Sequence, residues 1–377
     1  MRFILLKYHL YMITLIVLGI MFSGVQAQVT LKDAFKDLFL IGTALNYSQL
    51  KGDDPESMKI IKQHFNSITA ENSMKWEQIH PGPEKYEFKL ADSLVAIGAR
   101  NNMAIIGHTL IWHAQTPDWV FNDDSGNELD RDKLLHRMKE YIFTVVGRYK
   151  GKVFGWDVVN EAFEDNGSLR KSKWLKIIGE DYIQRAFEYV HQADPETELY
   201  YNDFNMWKED KCAAVINMIK AFKANNIPIH GIGFQGHWGT EWPTNDSLYM
   251  ALESYAETGV PIMITELDLN ILPMAFDYFG ADITKRAEMR EDLDPYKEGL
   301  PDSMQIVFNN RYLDFFKAFI KYHNSISRIT FWGVHDGISW LNNWPVHGRT
   351  AYPLLFDRDY QLKPVINELI KLVKKPE

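Results

Sequence analysis

Cysteine is almost missing from this chain: Cys212 is the single one in 377 residues. No intrachain disulfide can form, so a large apolar core has to hold the fold alone. Cys212 itself falls in a helix-like run, 210–225, and reads as a small buried apolar residue, not a reactive thiol. His-x-x-x-His spacings and cysteine pairs are absent as well, which leaves a metal site without its usual ligand pattern. Basic charge is in short supply: 41 Lys and Arg stand against 50 Asp and Glu, a formal charge of −9. That balance argues against nucleic acid and against an anionic membrane surface as partners. No internal repeat, low-complexity tract or Pro/Ser/Gly linker interrupts the sequence, so one domain is expected, without an appended module.

Long apolar runs are confined to the N-terminus. Arg2 and Lys7 precede the apolar stretch 10–22, and Val25-Gln26-Ala27 resembles a small-residue cleavage site. The stretch is shorter than the roughly 20 residues a spanning helix needs. Residues 1–27 therefore read as a secretory signal peptide, with an uncleaved anchor as the alternative. No cysteine near the site permits a lipid anchor. Cleavage would leave residues 28–377, a secreted or periplasmic protein free of the membrane, with monomer as the default state. Its formal charge would be about −11, which does not hinder a neutral polysaccharide.

What the chain does have is alternation. Strand-like runs at 38–44, 67–70, 104–108, 153–158, 198–201, 231–234, 261–265 and 329–332 are separated by amphipathic stretches. These helix-like stretches lie at 55–64, 90–101, 131–149, 174–193, 210–225, 248–258 and 302–323, with a last one at 364–375. Eight such pairs predict an α/β fold, a closed parallel (β/α)8 TIM barrel. Polar and aromatic residues gather just after the strands, on the face where such barrels build their sites. Two glutamates stand out. Glu161 ends Val153-Phe154-Gly155-Trp156-Asp157-Val158-Val159-Asn160-Glu161, and Glu266 ends the apolar part of Val260-Pro261-Ile262-Met263-Ile264-Thr265-Glu266-Leu267-Asp268. A strand buried on both faces cannot solvate a carboxylate along its length, so both should open onto the barrel mouth. Paired carboxylates at one mouth suit glycoside hydrolysis, one as proton donor and one facing the anomeric carbon.

Seven segments together resemble glycoside hydrolase family 10, the endo-β-1,4-xylanases. They are Thr69-Ala70-Glu71-Asn72-Ser73-Met74-Lys75-Trp76, Gly107-His108-Thr109-Leu110-Ile111-Trp112-His113, Trp156-Asp157-Val158-Val159-Asn160-Glu161-Ala162, Tyr200-Tyr201-Asn202-Asp203, Gly233-Phe234-Gln235-Gly236-His237, Ile264-Thr265-Glu266-Leu267-Asp268 and Thr330-Phe331-Trp332-Gly333-Val334. The resemblance runs from about residue 31 to 369 and shows no departure at a catalytic position. It implies xylan and xylo-oligosaccharides as partners, a retaining mechanism, and neither metal nor cofactor. Glu161 would be the acid/base and Glu266 the nucleophile. The charge of Glu266 would favour a proton on Glu161. His237 and Asp268 would support the nucleophile and fix the imidazole tautomer. Asn160 would bond the sugar 2-hydroxyl. Lys75, His108 and Gln235, and further out Glu71 and Asn72, would bond other hydroxyls. Trp112, Trp332 and Trp340 would offer ring faces to sugars, while Trp76, Trp156 and Trp174 belong to the core. For Asn202 and Asp203 a structural role and a binding role are equally open. So is the stretch 271–300, either a cleft wall or a variable insertion.

Two other readings stand beside this one. A barrel glycosidase acting on another β-1,4-glycan would differ only by accommodating the hydroxymethyl group of glucose. A non-catalytic carbohydrate-binding barrel should have lost a carboxylate, and both are kept.

Overall fold

The computed structural model describes residues 29–275 and 282–374. The 1–27 segment read as a signal peptide lies outside them, as does the end of the last helix-like stretch. Among the described residues nine strands form: β1 (Leu40–Leu45), β2 (Ser67–Ala70), β3 (Ala104–Trp112), β4 (Gly155–Asn160), β5 (Glu198–Asp203), β6 (Gly231–Phe234), β7 (His237–Gly239), β8 (Ile262–Asn270) and β9 (Ile326–Phe331). All pair in parallel. β1 pairs with both β2 and β9, and β6 with β8, which closes the eightfold barrel. β7 is a short extra strand beside the outer half of β8.

The alternation thus gave the correct architecture, but several strand ends were placed too early. β3 runs on to Trp112 and β8 to Asn270, past the register shifts between His108 and Ile111 and between Ile264 and Leu267. Trp112, Glu266 and Asp268 are therefore strand residues at the rim and not loop residues. A register shift keeps the ladder going while re-aiming side chains, which apolar runs alone do not reveal. The stretch expected as one helix at 174–193 is two, Lys173–Ile178 and Tyr182–Ala193. They break at Gly179, whose φ of +99° suits a residue without a side chain.

Several glycines make room for large side chains of the neighbouring strand. A Cβ on Gly107 would lie 2.1 Å from the Trp156 ring, and one on Gly155 would lie 2.3 Å from the Tyr200 hydroxyl. Around the barrel the helices bury their apolar stripes in one continuous core. Asp54 caps the helix Pro55–His64, accepting a hydrogen bond from the Ser57 backbone N–H. Cys212 is buried on the helix Glu209–Ala224, as its sequence setting implied. Trp76, Trp156 and Trp174 are fully packed, with Trp76 stacked 3.6 Å from Tyr141, centroid to centroid. Each such ring contributes about 1.5–3 kcal/mol of burial or more.

Candidate active site

Glu161 follows β4 directly, and Glu266 lies in β8 on the other side of one cavity of about 500 Å3 at the barrel mouth. That volume falls in the range of small-molecule sites. Both carboxylates are nearly buried, at 7% and 5% exposure.

The hydrogen bonds to Glu161 come from neutral donors. The Trp112 indole N–H reaches Oε2 at 2.9 Å, and the Gln235 amide reaches Oε1 at 2.8 Å. Glu266 has different company. The Asn202 amide donates to Oε1 at 2.8 Å, and His237 Nε2 lies 3.2 Å from Oε2. On its other side His237 Nδ1 lies 3.0 Å from Asp268 Oδ2, which also accepts the Trp340 indole N–H at 2.7 Å. Burial lowers the His237 pKa, but Asp268 and Glu266 together outweigh it and push it up to about 10. The imidazole is therefore a cation between two carboxylates. Both carboxylates thus favour the form in which both ring nitrogens carry a proton. Burial raises the Glu266 pKa, while the His237 bond, the charges of His108 and His237 and the Asn202 amide together bring it below the usual carboxylate range.

Asn202 turns out to be a bridge. Besides Glu266 it donates to Asn160 Oδ1 at 2.9 Å, and it accepts the Thr265 hydroxyl at 2.6 Å. It reaches across because β6 carries Gly233 there, where a Cβ would lie 2.2 Å from Asn202 Oδ1. Asn160 Oδ1 also accepts from Gln235 at 3.4 Å, so its NH2 group remains for the cavity it lines. A continuous chain of amides thus links the two carboxylates.

Lys75 is buried beside both. It donates to Asn72 Oδ1 at 2.9 Å and Gln115 Oε1 at 2.8 Å, which leaves one of its three N–H bonds for the cavity. Burial lowers its pKa against the pull of Glu266, Glu71 and Glu161. Glu71 accepts from Asn72 at 3.3 Å, and burial raises its pKa despite Lys75. His108 binds Asp157 Oδ2 through Nδ1 at 2.9 Å, leaving Nε2 as its remaining polar atom.

The tryptophans divide. Trp332 and Trp340 line the cavity, Trp332 edge-on to His108 and Trp340 stacked on Trp344 at 4.8 Å. Trp112 lines it too, but the Lys75 ammonium lies 4.9 Å over its ring and its N–H is given to Glu161. Its ring and its N–H thus engage Lys75 and Glu161, a role its sequence setting does not suggest. Two further participants carry no sequence signal at all. Gln115, at φ +45°, joins Lys75 to Glu77, and Trp344 extends the aromatic wall. Neither lies in a recognisable segment. In the 271–300 stretch Met274, Ile283 and Arg286 line the cavity, and Trp344 donates to the Ile283 carbonyl at 3.1 Å. Its described part thus contributes three residues to the wall of the cleft. No cluster of metal-ligating side chains occurs among the described residues.

An eightfold barrel with two buried, differently surrounded carboxylates at its mouth defines a glycoside hydrolase. Comparison with known proteins narrows this. Residues 30–372 match the model of glycosyl hydrolase family 10, and the chain belongs to that family. It is 46% identical over 347 residues to endo-1,4-beta-xylanase A of Xylanibacter ruminicola, covering 92% of this chain and 94% of that one. A GH10 endoxylanase from a sugarcane soil metagenome superposes with a TM-score of 0.88 at 42% identity, covering 91% and 99% of the two chains. An intracellular xylanase of Thermoanaerobacterium saccharolyticum, solved as a mutant with xylotriose, superposes with a TM-score of 0.78. It is 36% identical, with 91% and 99% covered.

Proposed function

We propose that this enzyme is a retaining endo-β-1,4-xylanase. Glu161 protonates the glycosidic oxygen as Glu266 attacks the anomeric carbon, and a covalent xylosyl-enzyme forms on Glu266. Glu161, now a carboxylate, takes a proton from water, whose oxygen releases the sugar. The observation that carries this reading is the unequal setting of the two carboxylates. The cationic His237, itself braced by Asp268, holds Glu266 ionised, while the hydrogen bonds to Glu161 come from uncharged donors. A nucleophile needs the first setting and a group that gives and takes a proton is served by the second. Asn160, Lys75, His108, Gln235, Glu71 and Asn72 supply the polar contacts to xylose hydroxyls, and Trp332 and Trp340 the apolar wall. The xylose-chain substrate is supported by the family and by the relative solved with xylotriose.

Reducing-end release from xylan and cellulose, measured side by side, tests the substrate. Xylan is expected to be cut and cellulose at most weakly, and equal rates would overturn the reading. Proton NMR of the first product tests the stereochemistry: retention gives the β-anomer, whereas an initial α-anomer means inversion. We further propose, from the N-terminal sequence alone, that the enzyme is exported and cleaved after Ala27. Sequencing should find Gln28 at the N-terminus of the extracytoplasmic protein, and a cytoplasmic enzyme retaining Met1 would refute export.

A further inference from the structure

Glu161 has a φ of +56°, in the left-handed region that residues with side chains seldom adopt. Such a backbone persists only where its surroundings hold it. Here every peptide group of the turn is held. The Glu161 N–H donates to the Asn202 carbonyl at 2.9 Å. The Ala162 N–H donates to the Tyr201 hydroxyl oxygen at 3.0 Å, and the Phe163 N–H to Asp203 Oδ2 at 3.4 Å. On the carbonyl side Arg170 donates to Glu161 O at 2.8 Å and Phe163 O at 3.0 Å through its side chain, and to Ala162 O at 2.7 Å through its backbone.

Behind the N–H side lies a sealed polar cluster. The Tyr201 hydroxyl donates to Asp203 Oδ2 at 2.5 Å, and Lys211 Nζ lies 3.1 Å from Asp203 Oδ1. Lys211 also reaches Asp165 Oδ1 at 3.3 Å and donates to the Phe204 carbonyl at 3.0 Å. Tyr201, Asp203 and Lys211 are all at 0% exposure, and none of them lines the cavity. They therefore have no access to substrate. A buried ion pair is also a poor way to gain stability, because desolvation consumes much of the attraction. Burial raises Asp203 to about 6 even with Lys211 beside it, and the charge of Glu161 adds to the rise.

We infer that Tyr201, Asp203 and Lys211 form a positioning cluster for the acid/base. They hold the turn after β4 so that the Glu161 carboxyl points at the leaving oxygen. This rests on Glu161 being the proton donor. The cluster then serves bond cleavage only where the leaving group needs a proton. A merely structural role would depress all substrates alike.

The test is Tyr201→Phe, which removes one hydroxyl and keeps the ring. kcat/KM is measured on a xylo-oligosaccharide and on a dinitrophenyl β-xylobioside, whose leaving group departs unaided. This ratio reports the steps through the first bond cleavage, so later hydrolysis of the intermediate does not obscure it. General acid catalysis supplies about 10²–10⁴-fold, and partial misalignment should forfeit about tenfold on the oligosaccharide, with less than about twofold on the aryl substrate. Equal losses on both, or no loss on either, overturn the inference. Should Tyr201→Phe fold poorly by circular dichroism, Asp203→Asn, which keeps the shape and loses the charge, is judged by the same pair of rates. Glu161→Ala run alongside separates the two claims. If its losses are equal on both substrates, the acid assignment itself fails. If its loss is selective and the cluster variants' losses are not, only the positioning role fails.

Discussion

The surroundings of Glu161 and Glu266 differ more than their positions do. Both are nearly buried at one barrel mouth, one just after β4 and the other on β8, and a single amide chain through Asn160 and Asn202 joins them. Yet one receives an indole N–H and an amide, and the other an imidazolium backed by a second carboxylate. Identical side chains become chemically different groups through their hydrogen-bond donors. A charged donor favours the ionised form, whereas a neutral donor does so far less.

Removing the side chain from each carboxylate is the strongest challenge to that contrast. Glu266→Ala should lower turnover on every glycoside by about five orders of magnitude, since no covalent intermediate can form. Azide should restore cleavage by entering the vacated space, and a variant that azide fails to rescue would count against Glu266 as nucleophile. Glu161→Ala should cost about 10²–10⁴-fold in kcat/KM on xylan. A dinitrophenyl glycoside should be largely spared in that ratio.

Replacing the charged donor by a neutral one makes the two settings more alike. His237→Asn should lower kcat by about 10–100-fold, a moderate loss for a supporting group. Without the cation the Glu266 carboxyl rises, so the acidic limb of the pH–rate profile should move to higher pH. Calorimetry should find xylo-oligosaccharide binding nearly unchanged. A large loss of binding with an unmoved limb would make His237 a sugar ligand. Stability offers a second check with its own sign. The His237 pKa is raised from 6.5 to about 10 in the folded protein. Its stabilising contribution is therefore full below pH 6.5 and lost as pH rises through 10, and the stability gap between wild type and His237→Asn should shrink over that window.

Smaller effects come from the bridge and from the neutral donor. Gly233→Ala places a Cβ 2.2 Å from Asn202 Oδ1, too close for the amide to stay where it is. Displacing that amide should reduce kcat by roughly tenfold, through loss of one hydrogen bond to an ionised carboxylate. An unchanged rate would mean Asn202 does not hold the nucleophile. Trp112→Phe removes the N–H donated to Glu161 and shrinks the ring beneath the Lys75 ammonium, and should cost at least about threefold to tenfold in kcat/KM on xylan, the loss expected for the hydrogen bond alone. A larger loss in KM than in kcat would point to direct contact with sugar.

How far the sequence could be read follows from the range of each interaction. Run lengths and apolar periodicity are local, so β2, β6 and the helix Pro55–His64 fell at their observed residues, and the alternation by itself determined a closed parallel barrel. A carboxylate at the end of an apolar run has few places to go, which makes Glu161 and Glu266 legible from their local runs alone. The register shifts that carry β3 and β8 out to Trp112 and Asn270 depend on neighbouring strands and leave no mark in either run. Hydrogen-bond partners lie beyond local reach for the same reason. Asn202 meets Glu266 across 64 residues of chain, and Trp112 meets Glu161 across 49. Only tertiary packing could bring two carboxylates to the two nitrogens of His237 and keep it charged, turn the Trp112 N–H onto Glu161, and leave room over Gly233 for the Asn202 amide. The sequence determined which groups reach the mouth of the barrel. Their charges and aims were settled by the directions in which strands far apart in the chain present their side chains to one another.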